Sequence, residues 1–275
     1  MTAVTIAIPF YNAQTYLAQA IESVLWQTHK DFVLLLMDDG STDGSLGIAN
    51  KYAEKDPRIK VYSDGMNKNL GFRLNQIPSL VETEYLARMD ADDIMHPERI
   101  AKQLQALLQD PTIDVLGTNI YSIDENDAVN GIRDEISTEK VVPVRTFWHP
   151  TVMAKTEWFR KHPYDVQAER IEDAELWLSQ FQQSKFMKLS EPLLFYREFG
   201  NKYWKKYVKG NKGVLYALKK HGYSPIFIKF ALRYFAAQAV YFLMDLVGKE
   251  GLMIQNRNAI PLDNLKIEDL IHGKV

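Results

Sequence analysis

Phe32-Val33-Leu34-Leu35-Leu36-Met37 runs straight into Asp38-Asp39-Gly40-Ser41-Thr42-Asp43-Gly44-Ser45. Six successive apolar residues ask for cover on both sides, the condition of a strand inside a parallel sheet flanked by helices. The acids, serines and glycines behind them end the strand and lead into a helix reaching about Tyr52. Upstream, residues 4–10 read as a second core strand. Asn12 is placed there to cap a helix whose apolar face is Tyr16, Leu17, Ala20, Ile21, Val24 and Leu25. Downstream, residues 59–62, 84–89 and 114–123 read as strands, separated by helical patterns over 70–81 and after Pro97. This alternation predicts an α/β domain with a mostly parallel, Rossmann-like sheet. Beyond about residue 124 the rhythm weakens, leaving a helix over 173–183 and short strands at 186–189 and 193–197. The expected division is an α/β domain over residues 1–200, its first half ending at 123, followed by a helical appendage over 201–275.

The 275 residues are 46% apolar and 25% charged, enough to bury a core without disulfides. Cysteine is absent, which excludes a thiolate metal site and fits a reducing, cytoplasmic compartment. Met1-Thr2-Ala3-Val4-Thr5-Ile6 has no basic leader and reads as strand rather than signal peptide. A net charge of −2 argues against a nucleic-acid binder.

Two acidic clusters, Asp38-Asp39 and Asp90-Ala91-Asp92-Asp93, fall where predicted parallel strands end. Ligands of open α/β sheets bind at those carboxyl ends. Carboxylates so crowded repel one another unless a cation or hydrogen-bond donors compensate. A hard divalent ion, Mg²⁺ or Mn²⁺, takes one or two carboxylates together with substrate phosphate oxygens. If residues 90–92 are extended, Asp90 and Asp92 point to one side and offer two carboxylates to one metal–diphosphate unit. Asp43 reads instead as a helix-capping acid.

Six segments in order carry a resemblance. They are Ile8-Pro9-Phe10-Tyr11-Asn12, residues 38–45, Asn69-Leu70-Gly71 with Asn75, Arg88-Met89-Asp90-Ala91-Asp92-Asp93, His149-Pro150-Thr151-Val152-Met153, and Glu172-Asp173-Ala174-Glu175-Leu176-Trp177. Together they resemble the family 2 glycosyltransferases, inverting enzymes of the GT-A fold. The resemblance implies a nucleotide-diphosphate sugar as donor, UDP-linked by preference, and a hydroxyl acceptor on a glycan or lipid-linked glycan. It implies donor binding by Pro9, Tyr11, Asn12 and Asp39, with Asp39 reading the base. Asp92 becomes the principal metal ligand, Asp90 its neighbour, and Asp173 the general base. Arg73 and Arg88 suit diphosphate oxygens, or equally internal ion pairs. His149 suits a donor phosphate, the acceptor or a bond within the core, Glu172 packs against or orients Asp173 on the acceptor side, and Trp177 serves as a sugar platform or as core. The Gln-x-x-Arg-Trp element of processive members is not reproduced by Gln180-Phe181-Gln182-Gln183-Ser184. A metal-dependent nucleotidyltransferase or phosphohydrolase could use the same acids, but no Gly-x-x-x-x-Gly-Lys loop is present and Asp173 would have no task. A non-catalytic nucleotide-sugar-binding protein would likewise need no base.

From Arg197 to Arg233 the chain carries ten basic residues and one acid, Glu198, interleaved with tyrosines and Trp204. The uncharged run over 234–244 is too short to cross a bilayer. This pattern fits attachment to an anionic membrane surface. It equally fits helices packed on the catalytic domain or on a second subunit, so the oligomeric state stays open.

Overall fold

Four parallel strands set the architecture in the computed structural model, which describes residues 4–198 and 202–271. They are β1 (Val4–Phe10), β2 (Phe32–Asp38), β3 (Ile59–Tyr62) and β4 (Tyr85–Arg88), arranged β3-β2-β1-β4. Every residue of β1 is buried, as a run covered on both faces requires. Alternate side chains serve two layers. Ile6, Ile8, Leu34 and Leu36 meet α1 (Leu17–Leu25), α2 (Ser45–Ala53) and α4 (Arg99–Gln109) on one face. Ala7, Leu35, Met37 and Leu86 meet α3 (Leu70–Gln76), α5 (Thr156–Lys161) and α6 (Glu172–Gln180) on the other.

The sheet then turns mixed. β5 (Ile94–Met95), β6 (Val115–Ile123), β7 (Ala128–Ile132), β8 (Val141–Pro143), β9 (Met153–Lys155) and β10 (Phe186–Arg197) complete its second half. β9 lies antiparallel between β4 and β6, and β6 pairs parallel with β10. The two short strands expected over 186–197 are one strand with register shifts on either side of Pro192. A proline without an N–H breaks the ladder there without ending the strand.

The C-terminal region departs from a purely helical appendage. The boundary expected at 200/201 falls among residues 199–201, outside the described residues. Beyond it come α7 (Tyr203–Lys220), α8 (Pro225–Leu246) and α9 (Glu250–Gln255). The chain then returns as β11 (Ile260–Lys266), antiparallel to β7, before α10 (Ile267–Ile271). The α7–α8 hairpin packs Val214, Ala217, Phe227 and Ala231 against Ala168 and Ile171. By length and composition α8 could cross a membrane, which the short uncharged run did not foretell. One face is instead packed on the protein.

Candidate active site

Parallel register brings the acidic clusters to one edge. Phe10 pairs with Asp38 and Ala7 with Arg88, so the residues following β2 and β4 emerge on either side of β1. The Asp39 N–H donates to the Phe10 carbonyl (2.9 Å) and the Met89 N–H to Ala7 (3.1 Å). Asn12 does not cap α1, which begins at Leu17 with no side-chain cap. At φ 50° its Oδ1 accepts the N–H groups of Thr42 (2.8 Å) and Asp43 (3.3 Å), stapling the end of β1 to the 41–45 turn. Asp43 is not the N-cap of α2, a place taken by Gly44; its Oδ1 accepts the Ser45 N–H at 2.9 Å and braces the turn that leads into the helix. Gly40 adopts φ 74°, and a Cβ there would lie 2.6 Å from the Met66 carbonyl carbon. Only glycine lets this turn meet the 64–69 loop.

That loop orients Asp39. Its Oδ1 accepts the Lys68 N–H (2.8 Å) and Arg73 Nε–H (2.8 Å), and its Oδ2 the Asn69 N–H (3.0 Å). Oδ2, with one such bond, keeps capacity for a second donor, and Asp39 lines the cleft. Arg73 departs from the diphosphate role. It is fully buried, and its five N–H donors are spent on Asp39, both oxygens of Asp64, Gln76 Oε1 and the Met66 carbonyl. It fixes the loop and holds Asp39 in place.

Residues 90–93 form a turn rather than an extended segment, closed by the Asp93 N–H on the Asp90 carbonyl (3.4 Å). The turn brings in Asp93 as well: carboxylate oxygens of Asp90, Asp92 and Asp93 lie within 4.8 Å of one another. Burial, then the neighbouring Asp90 charge, pushes the Asp92 carboxyl up to about 6. Burial raises Asp93 far above the ordinary range, and its Oδ2 has no hydrogen-bond partner. Three hard oxygen donors, one of them buried and unpartnered, suit Mg²⁺ or Mn²⁺. Beneath them Arg197, the first basic residue of the C-terminal run, is a scaffold. Its backbone N–H donates to Asp93 Oδ1 (2.9 Å) and its Nε to the Asp92 carbonyl (2.8 Å). Arg88 pairs with Asp90 but lies beneath the cleft wall, its Nε and Nη1 unpartnered.

The opposite wall comes from the second half of the domain. Asp173 stands in the first turn of α6 beside Glu172. Burial raises its carboxyl, while the Ala174 N–H and the Arg88 charge pull the other way. Burial likewise raises Glu172, which packs beside Gly71. His149 shares a 2.8 Å hydrogen bond with the Tyr164 hydroxyl, and burial keeps its ring neutral. Trp177 is 1% exposed and lies in an aromatic core with Phe147, Trp158 and Phe186. It is therefore core, with no face open to a sugar.

One cleft of about 700 Å³ gathers these groups. Of the residues singled out in the sequence, Tyr11, Asp39, Asp90, His149, Glu172 and Asp173 line it. Asp92 adjoins it through the acidic cluster, whereas Pro9, Asn12, Arg73, Arg88 and Trp177 support it from behind. The wall also includes Asn67, Trp148, Glu169, Arg170 and Tyr196, which no periodicity marked. Trp148 and Tyr196 have ring centroids 6.1 Å apart, giving the cleft an aromatic side.

An α/β sheet with a cation-suited acid cluster at its strand ends and a half-buried carboxylate pair across one cleft has the layout of an enzyme site rather than of a purely structural crevice. The family model "Glycosyl transferase family 2" matches residues 5–168, and the chain belongs to that family. It is 36% identical to EpsE of Bacillus subtilis over 203 residues, covering 71% of this chain and 73% of that protein. It is 31% identical to the O-antigen biosynthesis glycosyltransferase WbnJ of Escherichia coli, covering 72% and 79%. Among solved structures, S. aureus TarS 1-349 in complex with UDP shares the fold with a TM-score of 0.63 at 21% identity. That match covers 86% of this chain and 72% of that one.

Proposed function

We propose that this glycosyltransferase moves a sugar from a UDP-linked donor to a hydroxyl of a glycan or lipid-linked acceptor, with inversion, in cell-surface glycan assembly at the cytoplasmic face of the membrane. The observation that carries the reading is the convergence of Asp90, Asp92 and Asp93 on one side of a cleft whose other side holds the half-buried Asp173. The UDP complex of TarS supports the uridine donor, and the O-antigen role in the name of WbnJ supports the class of acceptor. In this reading residues 1–123 hold the donor and 124–200 form the acceptor side.

Asp39 offers its remaining Oδ2 lone pair to the imide N–H of the base, with the half-exposed Tyr11 ring beside it. Asp90, Asp92 and Asp93 would hold Mg²⁺ or Mn²⁺, which when bound neutralises charge on the departing diphosphate. Arg88 offsets the burial of Asp92 and Asp173 and favours their ionised forms. Asp173, ionised at the positive end of α6, takes the acceptor hydroxyl proton as that oxygen attacks the anomeric carbon. Attack opposite the leaving group inverts the centre. Trp148 and Tyr196 give the apolar face of a sugar ring a surface to pack on.

Asp173→Asn tests the assignment. Donor binding, read by thermal shift with UDP-sugars, is retained, while transfer falls by about 10²–10⁴-fold as expected for loss of a general base. Transfer at the native rate would remove Asp173 from the mechanism.

A further inference from the structure

The C-terminal hairpin leaves one side uncovered. Ile228, Leu232, Ala236, Val240, Leu243 and Leu246 recur every three or four residues along α8 and are all exposed, with Leu232 and Leu246 67% exposed. They form a stripe about 27 Å long on one side of the helix. Only 17% of the most apolar stretch of α8 is buried. An uncovered apolar strip of this length marks a binding surface.

The flanks say what binds. Lys209, Lys212 and Lys219 of α7 and Lys229 and Arg233 of α8 are exposed, and none makes an ion pair among the described residues. Apolar stripe and unpaired cations side by side match an acidic lipid surface. A two-fold pairing of copies through the same strip would set these cations against one another. Lys229 and Arg233, together with the packed face of α8, oppose a spanning orientation.

We propose that the α7–α8 hairpin lies in the plane of an anionic bilayer surface, its leucine stripe entering the headgroup–acyl boundary and its lysines meeting acidic headgroups. The hairpin is tied to the cleft wall. Lys220 Nζ donates to Asp165 (2.7 Å) and Glu175 (2.8 Å), and His221 Nε2 lies 2.6 Å from Glu175 Oε1. Gly213 lies so close to the segment before α6 that a Cβ would sit 2.5 Å from the Glu169 carbonyl oxygen. Glu169 and Arg170 line the cleft, so docking holds its rim about one helix diameter, 10–12 Å, from the lipid. This deepens the transferase reading and rests on it for one point: an acceptor carried on a lipid anchor meets the cleft without leaving the membrane.

The test uses the full chain with phosphatidylcholine vesicles containing or lacking phosphatidylglycerol. Sedimentation is expected to show binding that needs phosphatidylglycerol, weakens with salt, and falls at least about tenfold in Leu232→Glu/Leu243→Glu. Because the chain has no cysteine, Leu243→Cys can carry a single environment-sensitive dye. Its emission shifts to the blue on anionic vesicles, whereas dye at Ser137→Cys, in the exposed connection between β7 and β8 and outside the hairpin, does not shift. Absence of vesicle binding overturns the proposal. So does binding that survives the leucine pair, which would be electrostatic adsorption alone, and so does a dimer that the leucine pair dissociates while vesicles go unbound. Vesicle binding needs no turnover, and UDP-dependent thermal shift of the same samples reports the transferase reading separately.

Discussion

Replacing Arg73 by Met separates two roles for that guanidinium. Arg73 has no exposed surface and ends five hydrogen bonds inside the protein, three of them on the carboxylates of Asp39 and Asp64. Removing one partner of a buried ion pair costs about 3–5 kcal/mol. Asp64 reaches solvent and rehydrates, so the loss centres on Asp39 and lies at the low end, about 3 kcal/mol. For a chain of this size that lowers Tm by about 6–12 °C. Asp39 also loses the bond that aims it, and with it the charged hydrogen bond proposed to the base, worth about ten- to hundredfold in affinity. Calorimetric titration with uridine, UMP and UDP then gives the same factor of weakening for all three, because the lost contact is to the base. A diphosphate contact would spare uridine and penalise UDP alone. That pattern, with an unchanged Tm, would refute the reasoning.

Two further outcomes follow from the titrating groups. The general base proposed in Asp173 acts only when deprotonated, and desolvation raises its carboxyl. The acid limb of the kcat/KM profile therefore lies above the ordinary carboxylate range, and a limb at or below it would contradict the burial of that group. Asp93→Asn takes one oxygen ligand and one charge from the cluster, so Mn²⁺ affinity measured by electron paramagnetic resonance falls by at least about tenfold. Unchanged affinity would confine the site to Asp90 and Asp92.

β1 and β2 were legible because each is an almost unbroken apolar run, the mark of burial on both faces. β11 was not: Ile260-Pro261-Leu262-Asp263-Asn264-Leu265-Lys266 has a proline and three polar residues, and only an edge position tolerates that composition. The strand-end acids were legible through position, since a carboxylate directly after a core strand has few structural uses. Asp93 was not, because a turn brings in a third carboxylate that an extended backbone would have turned away. Trp148 and Tyr196 reach the cleft from an irregular connection and the end of a bulged strand, where no period reports facing. For Arg73 and Trp177 the residue type suited both outcomes, and only tertiary packing decided between them.

The return of β11 to the outer edge of β7 bears on how the polypeptide is made and cut. Until residue 266 has cleared the ribosome, β7 presents an open row of backbone donors and acceptors, and the 168–178 segment waits for its helical cover. A truncation placed after residue 198 to isolate the transferase portion would make that interim condition permanent, with self-association along β7 as its characteristic failure.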